Sequence, residues 1–326
     1  MDFQKKFTKI LFVTVITIFV VVIYVQYTDQ YKPVKNLKMG IQAGKTLNSF
    51  FPIYVAEEKG FLKEEGLNIT FIQLGPTMST NALISGNIEF SYDLPAAINA
   101  KLGGADIKVI MIYSNNDNFL YSNFSSIEEL KGKRIAVASL GGASYTRLYN
   151  LLKSERLKIS DVEITVIPDA GQRINAFKSG FIDATISPIP PSIAFQPNEV
   201  KMILYLGSDS QTTMVGAIVT TEKYLKENPE TVMKFTTVIA KTIKYIYEDK
   251  EGTTELIKSG LNANEKQAMD IYKFILAHHY YTTKTDLENL DTEIKEIAES
   301  TGKNAVPATD FYDSNFVDKL PKELQI

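Results

Sequence analysis

The sequence contains no cysteine, no tryptophan and only two histidines among its 326 residues. Without cysteine the chain has no disulfide, thiolate nucleophile, cysteine-ligated zinc, iron–sulfur cluster or thioether lipid anchor. Without tryptophan, any aromatic clamp around a ligand must use Tyr or Phe. The 18 glycines and 12 prolines are too few for a linker-dominated chain. With 44% hydrophobic and 22% charged residues, the composition is that of a globular protein long enough for two domains.

The two histidines, His278 and His279, are adjacent and lie late in a predicted helix. Neighbouring helical residues point about 100° apart, so this pair cannot jointly ligate one metal ion. We expect a structural or surface role for them, and we expect no metal site and no cofactor. With histidine confined to one helix near the C-terminus, no Ser/His/Asp set is indicated either.

Charge is distributed unevenly along the chain. The net charge is −3, but residues 1–36 carry +3 and the remainder carries −6. A mildly acidic body without a stripe of Lys or Arg argues against nucleic acid as a partner.

The longest apolar run, residues 10–25, follows Lys5, Lys6 and Lys9. A positive flank before such a run is typical of an export signal or a membrane anchor. No small-x-small cleavage site follows, which favours an uncleaved anchor with the body outside the cell, and a cleaved signal is the alternative. A buried helix of the soluble fold is disfavoured, because the run has no polar face. Residues 1–36 are thus interpreted as anchor and linker.

One phrase occurs twice: NALISGNIEF at 81–90 and NAFKSGFIDA at 175–184, 94 residues apart. Ala packs a helix closely on a sheet, and Ser-Gly ends the helix because Gly adopts the left-handed cap. The following Ile then enters a buried strand. Each copy therefore marks a helix–strand junction in one of two similar units.

Each unit is predicted to run strand, helix, strand, helix, strand, which favours parallel sheets with right-handed crossovers. Helices dominate after residue 219, and we expect them to pack back on the first unit. Two lobes facing each other across a cleft are preferred to a duplication that serves stability alone. The predicted lobes are 37–114 plus 218–326 and 115–217.

The stretch FPIYVAEEKGFLKEEGLNITFIQ resembles a signature of extracytoplasmic solute-binding proteins of ABC importers, in the nitrate/sulfonate/taurine and thiamine-pyrimidine group. The matching residues are Ala56, Glu58, Gly60, Phe61 and Gly66-Leu67. Further landmarks follow in family order: ALISGNIEF, GADIKVI, LKGKRIAV, SGFIDA and KENPETV. The resemblance covers roughly residues 37–320.

The resemblance implies a type II periplasmic-binding fold. In that fold two α/β lobes are joined by a two-stranded hinge, and here C-terminal helices would pack on the first lobe, with a hydrophobic helix at the N-terminus. It also implies a substrate-binding component that closes over a small solute and delivers it to a membrane permease driven by an ATPase. An enzyme of thiamine-pyrimidine synthesis and a sensory ligand-binding protein are the alternatives. The first is disfavoured by the lack of a cysteine-rich motif and by the export segment.

Ligands of open α/β sheets lie beyond the carboxyl ends of the strands, where helix N-termini offer unpaired N–H groups. The strongest pattern there is Gly141-Gly142 followed by Ser144, because glycine permits close backbone approach and a helix start favours an anion. The predicted ligand-binding residues are Thr46, Asn48, Ser49, Thr77, Met78, Ser79, Asp93, Leu94, Ser114, Ser139, Gly141, Gly142, Ala143, Ser144, Tyr145, Gln172 and Ser187.

Structural alternatives remain open at this stage. Ser49, Thr77, Ser79 and Asp93 are also good N-cap residues, and Gly141-Gly142 is also a tight turn. If Asp93 faces the cleft, it favours a ligand with a cation or N–H donors.

The arginines do not identify the solute. Arg147 and Arg173 are expected on helices behind the loops, so a bidentate arginine clamp is not indicated. The sequence does not favour a sulfonate- or carboxylate-like solute over a pyrimidine-like one.

Overall fold

The computed structural model describes residues 35–42, 44–115, 118–195, 199–206 and 214–326. The strands are β1 (Lys35–Ile41), β2 (Leu67–Gln73), β3 (Ser91–Asp93), β4 (Ile107–Asn115), β5 (Phe119–Ser122), β6 (Arg134–Val137), β7 (Glu163–Val166), β8 (Ala184–Ser187), β9 (Met202–Tyr205) and β10 (Met214–Thr221). The helices are α1 (Phe50–Glu58), α2 (Phe61–Glu64), α3 (Pro76–Ile84), α4 (Leu94–Leu102), α5 (Ala143–Ser154), α6 (Ala170–Lys178), α7 (Pro191–Ala194), α8 (Glu222–Glu227), α9 (Pro229–Glu248), α10 (Lys250–Leu261), α11 (Glu265–Ala277), α12 (Leu287–Thr301) and α13 (Asn315–Asp318).

The first unit, strands β1–β4 and β10 with their helices, contains two small sheets. β1 pairs with β2 in parallel, and Met39 forms a parallel bridge to Phe90 just before β3. β10 lies between β3 and β4 and is antiparallel to both. The predicted parallel pairing is therefore correct for the early strands, while the returning strand β10 inserts in the opposite direction.

The second unit, strands β5–β9 with α5, α6 and α7, has one five-stranded sheet in the order β7-β6-β8-β5-β9. β6 is parallel to β7 and β8, as the strand–helix alternation predicts. β5 is antiparallel to both of its neighbours. Sequence reasoning missed β5, which precedes β6, the first strand predicted for this unit.

Both copies of the repeated phrase end a helix as predicted. Gly86 follows α3 with φ 74°, and Gly180 follows α6 with φ 74°. Both glycines adopt the left-handed conformation that a residue with a Cβ enters only at a cost. The predicted role of the Ser-Gly pair is confirmed at both positions.

The C-terminal helices pack on the first unit, as predicted. Val232, Phe235 and Ile239 of α9 share an apolar cluster with Met39 of β1 and Phe51 of α1. A second cluster unites α12 with α4 and with strands β4 and β10. The helical region after residue 219 begins with two helices, α8 and α9, because Pro229 starts a new helix after Asn228.

The predicted N-terminal anchor, residues 10–25, lies outside the described residues. Within the ranges that the structure describes, no helix is long and apolar enough to cross a membrane. Over the same ranges, no cluster of three or more His, Asp or Glu side chains is placed to hold a metal ion.

Candidate functional site

A small, mostly buried cavity lies between the two units. Its volume is about 10 Å³, close to the space that one water molecule occupies. It is therefore a closed contact between two polar surfaces rather than an open cleft. Its lining residues are Gln42, Asn48, Pro76, Asp93, Asn118, Ala138, Ala143, Ser144 and Arg173.

The cavity lies where open α/β sheets bind ligands, beyond the carboxyl ends of strands. Gln42 directly follows β1, Asp93 ends β3 and Ala138 directly follows β6. Helices α3, α4 and α5 begin within a few residues of the same cavity. Helix N-termini from both units therefore meet at this point.

Arg173 of α6 is the most unusual group in the cavity wall, since its side chain is 0% exposed. Its Nη1 donates to the main-chain oxygens of Ile167 at 2.7 Å and Pro168 at 3.0 Å, and its Nε donates to that of Ile186 at 3.2 Å. Its Nη2 has no acceptor. Burial lowers the pKa of Arg173 to about 10, so the guanidinium stays protonated at neutral pH.

None of the ion pairs between described residues involves Arg173. The three carbonyls fix the orientation of the guanidinium and leave its positive charge without a carboxylate in contact. A buried cation with one donor unused is the arrangement that an anionic ligand group completes.

Asp93 is the acidic group of the cavity and is 2% exposed. Its Oδ1 accepts a hydrogen bond of 2.8 Å from the Ala96 N–H, so Asp93 does cap α4. Burial raises the pKa of Asp93 to about 7, against the effect of that N–H. The nearby Glu293 raises this pKa further and Arg147 lowers it. Asp93 therefore both caps α4 and lines the cavity, two roles that the sequence offered as alternatives.

The uncharged polar groups separate by unit. In the first unit, Asn48 donates through Nδ2 to Gln42 Oε1 at 3.3 Å, and its Oδ1 has no donor. In the second unit, Ser144 Oγ accepts from the Ala138 N–H at 2.8 Å. Gly142, the N-cap of α5, has no side chain to cap the first N–H groups of that helix. The two units therefore differ in charge rather than in hydrogen-bond type, since the first unit contributes Asp93 to the cavity and the second contributes Arg173.

The loops around the cavity approach closely because small residues face each other. Thr77 donates through Oγ1 to the Leu140 main-chain oxygen at 3.4 Å across the two units. Gly141 has φ 75°, and a Cβ built on it would lie 2.2 Å from Asn99 Nδ2. The Gly141-Gly142 pair therefore serves a close approach as well as a turn.

The predicted site residues fall into three groups. Asn48, Asp93, Ala143 and Ser144 line the cavity, and Thr77, Gly141 and Gly142 lie in the loops around it. A second group is buried outside the lining: Thr46, Ser49, Ser79, Leu94, Ser114, Ser139 and Ser187. A third group is partly or largely exposed: Met78, Tyr145 and Gln172.

The buried hydroxyls mostly have partners of their own. Ser49 accepts from the Gln42 N–H at 3.1 Å, Ser79 and Ser91 share a hydrogen bond of 2.7 Å, and Ser114 accepts from the Gly216 N–H at 3.0 Å. The alternative reading of Ser49, Thr77 and Ser79 as side-chain N-caps is wrong, because neither α1 nor α3 has a side-chain cap.

Sequence reasoning missed five lining residues: Gln42, Pro76, Asn118, Ala138 and Arg173. The placement of Arg173 behind the loops was wrong, because the guanidinium reaches the cavity wall from the first turn of α6. An available signal was its position four residues after Asp169, the N-cap of that helix.

A ladder of polar contacts joins α5 of the second unit to α12 of the first. Arg147 Nη2 donates to Glu293 Oε2 at 3.0 Å, with the two side chains 2% and 0% exposed. One turn further Asn150 contacts Glu296, and after another turn Lys153 pairs with Glu299. The matched spacing of three residues on each helix makes this a continuous contact between the units.

A second contact between the units is aromatic. Phe274 of α11 packs against Phe119 and Tyr205 of the second unit, with ring centroids 5.9 Å and 5.4 Å apart. His278 lies 4.5 Å from Phe274 and 4.9 Å from Tyr205 by the same measure. His278 is exposed and takes part in this packing.

Comparison with solved structures identifies the class of fold. The alkanesulfonate-binding protein SsuA from Xanthomonas axonopodis pv. citri aligns over 87% of this chain and 99% of its own, with a TM-score of 0.69 and 17% identity. A Candida albicans gene product described as having the generic periplasmic binding protein fold aligns over 87% and 94%, with a TM-score of 0.64 and 16% identity. The fold of this chain is thus that of the periplasmic binding proteins.

Sequence comparison then gives the family. The chain belongs to the NMT1/THI5-like family, whose model matches residues 48–253. It is also similar to a Bacillus subtilis (strain 168) protein named for binding aliphatic sulfonates, with 25% identity over 76% of each chain.

Proposed function

We propose that this protein is the solute-binding component of an ABC importer. It captures a small solute between its two units and delivers it to a membrane permease that an ATPase drives. The main support is the buried cavity between the units, where Arg173 keeps one donor unused. The relatives named for sulfonate binding favour a sulfonate-like solute among the sulfonate, nitrate, taurine and pyrimidine classes.

The mechanism we propose is a shift between open and closed forms. A cavity of about 10 Å³ cannot hold such a solute, so binding requires the walls to separate. A solute that contacts both units then stabilises the closed form relative to the open one. The protein binds and releases the solute without changing it chemically.

The lobes that move in this proposal are residues 37–114 with 218–326, and residues 115–217. Supporting this division, β4 and β10 belong to a sheet of the first unit, while β5 and β9 belong to the sheet of the second. Two apolar clusters lie in each unit. Met214 and Ala217 of β10 are exceptions to the division, because they belong to a cluster of the first unit although the boundary at 217 assigns them to the second lobe. Two chain crossings then connect the lobes, between β4 and β5 and between β9 and β10.

We also propose that the protein is held at the outer face of the cell membrane by residues 10–25. The charged flank and the apolar run of the sequence support this placement. Protease added to intact, wall-free cells should then release the body from the membrane fraction as a soluble fragment. Full protection of the body from external protease would contradict the placement.

Ligand-dependent stabilisation tests the proposed function. We expect at least one compound in a panel of alkanesulfonates, taurine, nitrate, small carboxylates and hydroxymethylpyrimidine to raise the melting temperature. At a hundredfold excess over the dissociation constant the gain is about 2.7 kcal/mol, equivalent to several degrees. Differential scanning fluorimetry on the full chain in detergent measures it.

Variants connect that result to the cavity. Arg173→Gln should abolish the shift for an anionic ligand, and Arg173→Lys should weaken it while keeping the charge. Arg156→Gln is the control, because Arg156 is exposed on the second unit and does not line the cavity. Folded protein that no compound in the panel stabilises would contradict the proposal.

A further inference from the structure

The two sides of the cavity carry opposite chemistry. The first unit contributes the Asp93 carboxylate and the unpaired Oδ1 of Asn48, which both accept hydrogen bonds. The second unit contributes two sets of donors, the unused Nη2 of Arg173 and the uncapped N–H groups at the start of α5. A ligand between the units therefore meets an acidic wall on one side and a basic wall on the other.

Arg173 and Asp93 each form hydrogen bonds to the main chain with some of their side-chain polar atoms and leave one polar atom without such a bond. Arg173 uses Nε and Nη1 on three carbonyl oxygens, which leaves Nη2. Asp93 uses Oδ1 on the Ala96 N–H, and no hydrogen bond to Oδ2 occurs among the described residues. Both side chains are almost completely buried, so water does not screen their charges.

Simple ions match only half of this arrangement. A plain anion that pairs with Arg173 also brings its negative charge towards Asp93, in a space with little solvent. A plain cation that pairs with Asp93 likewise brings its positive charge towards Arg173. Above about pH 7, where Asp93 is ionised, a neutral solute leaves two buried charges without a counter-ion from the ligand, which is costly.

We propose that the cavity selects a short zwitterion, with its ammonium group against Asp93 and Asn48 and its acidic group against Arg173 and the start of α5. This inference rests on the proposed function and specifies its substrate class. The ligand class is an amine joined to a sulfonate or carboxylate by a short carbon chain. Because the two subsites belong to different units, such a ligand also connects the units and favours closure.

The other charges facing Asp93 do not change this conclusion. Glu293 of α12 and Arg147 of α5 both act on Asp93, and they pair with each other at 3.0 Å. Glu293 raises the pKa of Asp93 and Arg147 lowers it, and neither residue lines the cavity. Asp93 and Arg173 are the charged residues of the cavity lining, and Asp169, which acts on Arg173, lies outside it.

Matched ligands that differ only in the amino group test the inference. We would titrate taurine against ethanesulfonate, and β-alanine against propionate, by isothermal calorimetry on the full chain at pH 8. We expect the amino compound of at least one pair to bind at least about tenfold more tightly, the equivalent of one charge-assisted hydrogen bond. The two pairs distinguish a sulfonate from a carboxylate as the acidic group.

Asp93→Asn tests the residue. Asparagine retains the cap oxygen for α4 and removes the charge, so folding should be preserved. The preference for the amino compound should fall about tenfold in this variant. Asp249→Asn is the matched control: Asp249 caps α10 by accepting from the Gly252 N–H at 2.8 Å, outside the cavity lining.

The outcomes separate this inference from the proposed function. If ethanesulfonate binds as tightly as taurine and propionate binds as tightly as β-alanine, the zwitterion inference is overturned and the importer proposal still stands. An unchanged preference in Asp93→Asn would overturn the role of Asp93. Failure of the entire wider panel to stabilise the folded protein would instead contradict the importer proposal itself.

Discussion

Arg147→Met is expected to lower the free energy of unfolding by about 3–5 kcal/mol, because it leaves a buried carboxylate without its partner. Arg147 and Glu293 lie 3.0 Å apart, with side chains 2% and 0% exposed. Burial raises the pKa of Glu293, and the Arg147 guanidinium opposes that effect. The methionine side chain is similar in length to the aliphatic part of arginine. Little of the expected decrease in unfolding free energy therefore comes from lost packing. Urea unfolding followed by circular dichroism measures the change.

The same ladder offers a control for this prediction. Lys153 and Glu299 pair between the same two helices, but their side chains are 56% and 51% exposed. Lys153→Met should therefore cost less than about 1 kcal/mol. The double variant Arg147→Met/Glu293→Leu should recover most of the stability, because it removes both buried charges together. Equal effects of Arg147→Met and Lys153→Met would refute a special role for the buried pair.

Stability is also expected to fall as the pH rises from ~5 to ~8, owing to Asp93. Burial raises the pKa of Asp93 from 3.8 to about 7. The folded state therefore holds this proton more tightly than the unfolded state between those values. The protonated Asp93 carboxyl stabilises the folded state fully at a pH below its pKa in the unfolded state. This stabilisation is lost as the pH rises past its pKa in the folded state. A shift of this size corresponds to roughly 4 kcal/mol over the whole pH range, of which about 2–3 kcal/mol is lost between ~pH 5 and ~pH 8.

Asp93→Asn isolates that contribution, because asparagine keeps the cap and does not titrate. The variant should lose less stability than the wild type between ~pH 5 and ~pH 8, while Glu293, whose pKa is also raised, contributes in both proteins. In Asp249→Asn the wild-type pH dependence should persist, since the pKa of Asp249 is lowered and its carboxylate is ionised throughout. A wild-type slope in Asp93→Asn would show that Asp93 does not carry the effect.

Local sequence patterns were sufficient for most of the helices and the early strands. Helices α3 and α6 end at a left-handed residue, which Gly86 and Gly180 of the two Ser-Gly pairs supply, and that requirement acts within one turn of helix. Pro229 starts α9 for an equally local reason. Such features depend on neighbours a few residues away, so they can be predicted without knowing the fold.

The composition of the site was only partly predictable. Asp93 and Ser144 follow strands and begin helices, which placed them at the expected edge of each sheet. Met78 has the same kind of position but is 57% exposed. A residue at the edge of a sheet reaches the cavity only if the opposite unit approaches it there, and local sequence carries no information on that approach.

By itself, then, the sequence determined two similar α/β units, the helices that follow them and the two edges where ligands are expected, since each of these follows from short-range periodicity and cap chemistry. The tertiary structure alone decided that Arg173 reaches the cavity wall and that Arg147 meets Glu293. The three carbonyls that orient Arg173 come from both the loop before α6 and strand β8, and Glu293 lies 146 residues from Arg147 in the sequence. Such contacts depend on how distant elements pack, because the charge of a buried group is tolerable only where packing brings it a partner.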